Sequence, residues 1–350
     1  MTIRRSILDT GPHRANICVV GCGHWGKNLI RNFSMMGHLK AICESNTASL
    51  AAIAAEYPGI RIYVTLAEAL ADSELDSFVL ATPAEQHHRM ALAAIKAGKH
   101  VFVEKPLALE AEDGLEMVEA ARERGTILMV GHLLRYHPAI VKIQEMVAAG
   151  TLGHLDYIYS NRLSMGKIRQ EENALWSFAP HDISVILALV GQMPVQVTAT
   201  GGAYLQPNIA DVTVSNLLFD RGTRSHIFVS WLHPYKEQRL VVIGSKQMVV
   251  FEDSRPDNKL VLFDKRIEWK NGSMEASKPQ GTPVPFDPEE PLRRECAHFI
   301  DCVTHRKDPL TAGEEGVRVL QVLQACQRSL QMNGEPVQVM AAGRQKIIAQ

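Results

Sequence analysis

The chain has 350 residues, of which 46% are hydrophobic and 21% charged, with a formal net charge of −1. That suits one large or two moderate globular domains, and so small a charge sets up no field that would recruit nucleic acid or a membrane surface. The longest strongly apolar stretch, ISVILALVG, falls far short of the roughly 20 residues a membrane span needs. Residues 1–15 carry basic side chains without the apolar core of a signal peptide, so they read as a mobile extension. Six cysteines are scattered with no CxxC and no His/Cys cluster at ligand spacing. This predicts reduced thiols in a cytoplasmic protein and no metal site.

In the first third, short apolar runs at 16–20, 39–43, 61–64, 77–80, 100–103 and 127–130 alternate with stretches of helical period such as 86–97 and 111–124. Alternating strand and helix predicts a doubly wound parallel sheet, a dinucleotide fold spanning 16–136. From about Gly150 the pattern changes to closely spaced strands, from LDYIYSNRL to QMVVFED, with GS and DRGT as tight connections. The expectation for 137–350 is an α+β domain built on a large, mostly antiparallel open sheet. One helix is inserted at 180–190, and two more lie near the C-terminus at 292–304 and 313–332. The C-terminal helix is expected to pack back on the first domain. The Pro-rich stretch EASKPQGTPVPFDPEEP reads as a surface crossing. The strands of this sheet are apolar on both faces. One face can pack on helices, and the other calls for a second subunit, which predicts a homodimer or homotetramer.

CVVGCGHWGKNLIRNF places Gly21-x-Gly23-x-x-Gly26 directly after the first strand and at the start of a helix, the context a dinucleotide fingerprint requires. Gly21 permits the turn, Gly23 lets backbone approach a pyrophosphate, and Gly26 lets helix and strand pack closely. Glu44 ends the second strand, about 20 residues on, where a carboxylate takes the ribose hydroxyls. No Arg follows it, which favours NAD over NADP.

Two more strands end in polar stretches at the carboxyl edge, where ligands of such sheets bind. The fourth runs into ATPAEQHH and the fifth into EKP, which brings Lys105 to that edge with Pro106 stopping the strand. Taken alone, Lys105 is a surface lysine beside a turn. LWSFAPHDISVILAL puts Pro180 at the start of a helix and His181 in its first turn, where the helix dipole would keep the imidazole neutral. A purely structural histidine fits that position equally well.

The glycine motif, ATP, EKP, VGHLLRYHP and APHD occur in this order, followed by PLRRECAHFIDCV and DPLTAGEEGVRVLQVLQACQRSL. Together they resemble the glucose-fructose oxidoreductase/inositol dehydrogenase (Gfo/Idh/MocA) family over nearly the whole chain. The resemblance implies an NAD-dependent sugar or polyol dehydrogenase with Lys105 and His181 at the oxidised carbon. It implies cofactor contacts from Gly21, Gly23, His24, Trp25, Gly26, Glu44, Thr82, Pro83, His87, Glu104 and Lys105. It also implies substrate contacts from Arg135, Tyr136, Ser177 and His181. Many members carry Asp four residues before that His; here the position is Ser177, so a Lys/Asp/His triad is incomplete.

The stretch SNRLSMGKIRQEENALW resembles the subgroup acting on UDP-linked sugars, notably UDP-N-acetylglucosaminuronate 3-dehydrogenases of surface-polysaccharide pathways. Its Arg162, Lys167 and Arg169 suit an anionic nucleotide-sugar substrate. They equally suit a solvated loop paired with Glu171 and Glu172. Two further readings stay open: a free polyol or inositol dehydrogenase, and a non-catalytic NAD-binding regulator.

Overall fold

In the computed structural model the described residues are 15–339, apart from 265–266, 271 and 277–278, so nearly all of the expected N-terminal extension lies outside them. The chain forms two compact units rather than two consecutive blocks. The first holds residues 15–104, 116–131 and 292–313, and the second 105–115, 132–291 and 314–339. Side-chain packing explains the exchange of segments. The helix at the end of the second block carries Phe299, whose ring lies 6.5 Å from Phe33 and 5.6 Å from Phe102, inside the first unit.

The first unit runs β1 (Ile17–Val20), α1 (His24–Met35), β2 (Leu39–Cys43), α2 (Thr47–Glu56), β3 (Arg61–Tyr63), α3 (Leu66–Ala71), β4 (Ser77–Leu80), α4 (His87–Lys96) and β5 (His100–Glu104). It continues with most of α5 (Ala111–Arg124) and with β6 (Leu128–Gly131). The strands pair in parallel in the order β3-β2-β1-β4-β5-β6, reversing direction of growth between β1 and β4. β1, β4 and β5 are buried at every position, as a sheet covered on both faces demands. Local signals set the helix starts. Asn46 caps α2 by accepting from the Ser49 N–H, and Thr65 with Glu68 forms a reciprocal capping box on α3.

The second unit contains α6 (Pro138–Ala148), β7 (Leu155–Met165), α7 (Ala174–Val190), β8 (Gln196–Gly202), β9 (Val212–Leu218), β10 (Arg224–Ser230), β11 (Leu232–Gly244), β12 (Gln247–Glu252) and β13 (Leu260–Asp264). A small hairpin, β14 (Ile267–Lys270) with β15 (Ser273–Ala276), precedes β16 (Gly281–Pro283). Helix α8 (Pro291–His305) belongs to the first unit, while α9 (Gly313–Gln331) and β17 (Val337–Gln338) return to the second. The nine-stranded sheet has the order β16-β13-β12-β11-β7-β10-β9-β8-β17, with β7 and β10 parallel and the other pairs antiparallel. The Pro-rich stretch is therefore not simply a crossing, because Gly281–Pro283 adds an edge strand to β13.

One face of this sheet presents Ile158, Ile227, Val229, Leu240, Val242 and Val249 to a core shared with α6, α7 and α9. The alternate positions, among them Tyr157, Tyr159, Val214, Phe228, Met248 and Val250, are only half-buried. Tyr159 stacks on His226 there at 5.1 Å.

Helix α7 corrects one expectation. It begins at Ala174, capped by Asn173, whose side chain accepts from the Trp176 N–H at 3.2 Å. Pro180 therefore lies inside the helix and His181 in its middle, so no N-terminal dipole acts on the imidazole.

Candidate functional site

The first unit supplies a dinucleotide cradle. Gly21 adopts φ +95°, and a Cβ there would meet the Ala81 carbonyl oxygen at 2.7 Å. A Cβ on Gly26 would lie 2.0 Å from the Gly21 carbonyl oxygen, so only glycine lets α1 start this close to the turn. A Cβ on Gly23 would meet nothing within 4 Å. The open space beside Gly23 adjoins the start of α1, which no side chain caps, leaving its first N–H groups for an anion.

Glu44 closes the adjoining edge. Its carboxylate accepts from the Cys22 N–H at 2.8 Å and the Asn46 N–H at 2.9 Å, which ties the glycine turn to the end of β2. A fixed negative charge here accepts ribose hydroxyls and repels a 2′-phosphate. These residues fit NAD.

Thr82 and Pro83 follow β4, and His87 Nε2 donates to the Thr82 carbonyl at 2.9 Å. His87 is buried and braces this loop. His24 and Trp25 are exposed in the first turn of α1, and the Trp25 indole N–H donates to the buried Glu104 carboxylate at the end of β5. A second carboxyl, Glu295 of α8, is fully buried. Burial, and then the charge of Glu104, raises its pKa well above the usual carboxylate range. No sequence pattern singled out Glu295.

The second unit brings Lys105 and the His181 helix together. Lys105 Nζ donates to the Ser177 carbonyl oxygen at 2.9 Å, one helical turn before His181. Pro180, inside the same helix, lacks the N–H that would bond the Trp176 carbonyl, which interrupts the helical ladder next to this contact. Ser177 thus meets Lys105 through its backbone. His181 is half-buried, with Nδ1 sealed from solvent and without a hydrogen-bond partner. Burial, then Lys105, Arg162 and His132, push its pKa well below the ordinary imidazole value. The neutral state expected from a helix dipole is therefore produced by desolvation and by neighbouring cations.

Two of the residues expected at the substrate are paired with carboxylates of the fold. Arg162 binds Asp182 with Nε at 2.9 Å and Nη2 at 3.2 Å, and Ser160 donates to the same carboxylate at 2.6 Å. Arg135 is buried with Nη1 3.3 Å from Glu315. In both, a cation in a low-dielectric interior is held by its paired carboxylate. Tyr136 is buried as well. Lys167 is exposed, and Arg169 is partly exposed with Nε 3.6 Å from Glu172. Those two remain available to a ligand. Among the described residues no group of His, Cys, Asp and Glu is placed to hold a metal ion, and no helix is long and apolar enough to cross a membrane.

A parallel sheet reversing at β1/β4, a glycine turn opening onto an uncapped helix and an acceptor carboxylate just after β2 define an NAD-binding domain. Family models agree. The model described as "Oxidoreductase family, NAD-binding Rossmann fold" matches residues 15–132, and the "GFO/IDH/MocA C-terminal domain" model matches 140–250. The chain belongs to the Gfo/Idh/MocA family.

Among its relatives, UDP-N-acetylglucosamine 3-dehydrogenase of Acidithiobacillus ferrooxidans is 27% identical over 309 residues, covering 86% of this chain and 93% of that protein. The scyllo-inositol 2-dehydrogenase (NAD(+)) of Bacillus subtilis is 26% identical, covering 78% and 80%. The WlbA dehydrogenase from Bordetella pertussis, solved in complex with NADH and UDP-GlcNAcA, shares the fold at a TM-score of 0.77 and 24% identity, covering 94% of this chain and all (100%) of that one.

Proposed function

We propose that this protein is a cytoplasmic NAD-dependent dehydrogenase that oxidises a hydroxyl, at C3, of a UDP-linked amino sugar acid such as UDP-N-acetylglucosaminuronate, in surface-polysaccharide biosynthesis. The observation that carries the reading is the Lys105–Ser177 bond beside a neutral His181. An ammonium held at the Ser177 carbonyl and an unprotonated imidazole one helical turn further on are what the oxidation of an alcohol requires. His181 takes the hydroxyl proton. Lys105 donates to the same oxygen and offsets the negative charge that develops there. Bound NAD supplies the hydride acceptor. Gly21, Gly23 and the first N–H groups of α1 hold its pyrophosphate, and Glu44 holds its ribose. Lys167 and Arg169, the more exposed members of the basic stretch, are candidates for the anionic part of the substrate.

The choice of a nucleotide sugar is supported by the relative that acts on UDP-N-acetylglucosamine and by the WlbA complex. The relative that oxidises scyllo-inositol supports the polyol alternative. A screen of purified enzyme with NAD, read at 340 nm, decides between them. UDP-N-acetylglucosaminuronate is expected to give NADH, with free inositols and polyols at least tenfold poorer in kcat/KM. Better turnover of a free polyol overturns the substrate, and no turnover of either class favours a regulator.

The half-buried face of the large sheet supports a homo-oligomer, because Tyr157, Tyr159, Phe228 and Val214 lie on one side of the paired strands β7, β10 and β9. Sedimentation at micromolar concentration is expected to show a dimer or tetramer, and Phe228→Glu is expected to dissociate it. A wild-type monomer at that concentration refutes the assembly.

A further inference from the structure

Strands β7, β8 and β10 end at one edge of the large sheet, because β9 runs antiparallel to both β8 and β10, and β10 runs parallel to β7. The basic stretch 166–173 leaves β7 at that edge, and the loop 203–211 leaves β8 there. The mechanism above makes no use of this loop, yet it is firmly held. The fully buried Asp211 accepts from the Tyr204 N–H at 2.6 Å and the Leu205 N–H at 2.9 Å through one oxygen, and from the Trp231 indole through the other. The Asp211 N–H closes the loop onto the Gly202 carbonyl at 2.8 Å. Two bonds then tie it outward. The Gln206 side chain donates to the Arg169 carbonyl at 2.8 Å, and the N–H of Ala174, the first residue of α7, donates to the Ala210 carbonyl at 2.9 Å.

Tyr204 stands on this frame and is 74% exposed. Its ring nonetheless has a seat. A Cβ on Gly202 would meet the phenol end of the ring at 2.6 Å, so the ring occupies the place of a side chain at 202. Leu205 and Ile168 are exposed on the two tied segments. An open aromatic ring on a fixed backbone offers a π surface whose ordering cost is already met.

We propose that Tyr204 is the platform on which the nucleobase of a nucleotide-linked substrate stacks, with Lys167 and Arg169 serving its diphosphate. The inference rests on the nucleotide-sugar reading and names the part of the site that separates such a substrate from a free polyol. The spacing agrees with it. Ala174, where the loop is tied, precedes His181 by about 10 Å along the helix axis at the usual rise per residue. A sugar at His181 leaves that gap before the loop, and in a UDP-sugar it is the diphosphate that bridges sugar and base. The charges agree as well. Lys167 is exposed, and Arg169 is held only loosely by Glu172 at 3.6 Å, so both cations can turn to phosphate oxygens.

The test titrates UDP into full-length enzyme loaded with NAD, followed by calorimetry, and so needs no turnover. Wild type is expected to bind UDP. Tyr204→Ala is expected to weaken binding by about 5–100-fold, the size of one base–aromatic stack, with NAD affinity unchanged. Tyr204→Phe keeps the π surface and should retain most of the affinity. Gly202→Ala should weaken UDP too, because its methyl takes the seat of the ring. With UDP-N-acetylglucosaminuronate, Tyr204→Ala should raise KM by a similar factor and leave kcat near wild type, since the base lies away from the reacting carbon.

Should Tyr204→Ala fail to fold, Tyr204→Leu decides, as it keeps apolar bulk and removes the ring plane. Wild-type UDP affinity in the folded variant overturns the proposal and leaves the nucleotide-sugar reading standing. A smaller assembly in sedimentation together with that unchanged affinity overturns it equally, and assigns the ring to a contact with a second copy of the chain. If wild type neither binds UDP nor turns over the UDP-sugar while it oxidises a free polyol, the substrate reading fails and this subsite falls with it.

Discussion

Replacing His181 by Asn is expected to lower kcat by about 10²–10⁴-fold, the usual cost of removing a positioned base. NAD affinity should persist, because the glycine turn and Glu44 that hold the cofactor belong to the other unit. Lys105→Ala should also cripple turnover. The double variant should lose less than the sum of the two, since both side chains act on one hydroxyl. Lys105→Arg should not restore activity, because a planar fork does not replace a compact ammonium at the Ser177 carbonyl and the substrate oxygen together. The pKa of His181 is pushed below the ordinary imidazole range, so the base is unprotonated at neutral pH. The acidic limb of wild-type kcat/KM should accordingly fall below about pH 6.5. Steady-state rates and a cofactor titration on the single and double variants check these outcomes. Near-wild-type turnover by His181→Asn would move the base elsewhere, and His132 is then the next residue to replace.

The second large effect concerns two glycines that a motif treats alike and the structure separates. Gly26→Ala places a methyl 2.0 Å from the Gly21 carbonyl oxygen, a backbone atom with no room to retreat. The turn must open, at a cost on the order of 1–3 kcal/mol from overpacking, and NAD binding should be lost with it. Gly23→Ala meets no protein atom within 4 Å. Its melting temperature should stay within a degree or two of wild type, while the methyl occupies the space a pyrophosphate needs. Affinity for NAD should fall by about tenfold or more, which corresponds to 1.4 kcal/mol. Thermal unfolding with and without NAD, together with cofactor fluorescence titration, measures both. Wild-type NAD affinity in Gly26→Ala would show that the turn does not cradle the dinucleotide.

Much of this protein is local in origin. The apolar runs that become β1 through β6 are legible because a buried parallel strand needs consecutive apolar residues, and the helices between them repeat at 3.6. Gly21, Gly23, Gly26 and Glu44 are legible because steric freedom and charge at fixed spacing are properties of a short segment. Lys105 and His181 stand out for their motifs.

What the sequence left open depends on partners far along the chain. The start of α7 is hidden in the sequence because Pro180 resembles a first-turn proline, whereas the cap is Asn173, and Lys105, 72 positions away from Ser177, donates to the helix from outside it. Arg162 and Arg135 look like anion binders in isolation. Only folding brings Asp182 and Glu315 against them, and a buried cation stays with its counter-ion. The same folding sets Glu315 of α9 against Ser184, Arg135 and His132, a convergence of distant residues that spacing along the sequence does not encode. Where a side chain's role is set by backbone geometry within a few residues, the sequence determined it. Where it is set by which charge stands opposite in a low-dielectric interior, the tertiary structure decided it, because the energy of a buried charge depends on its neighbours in space.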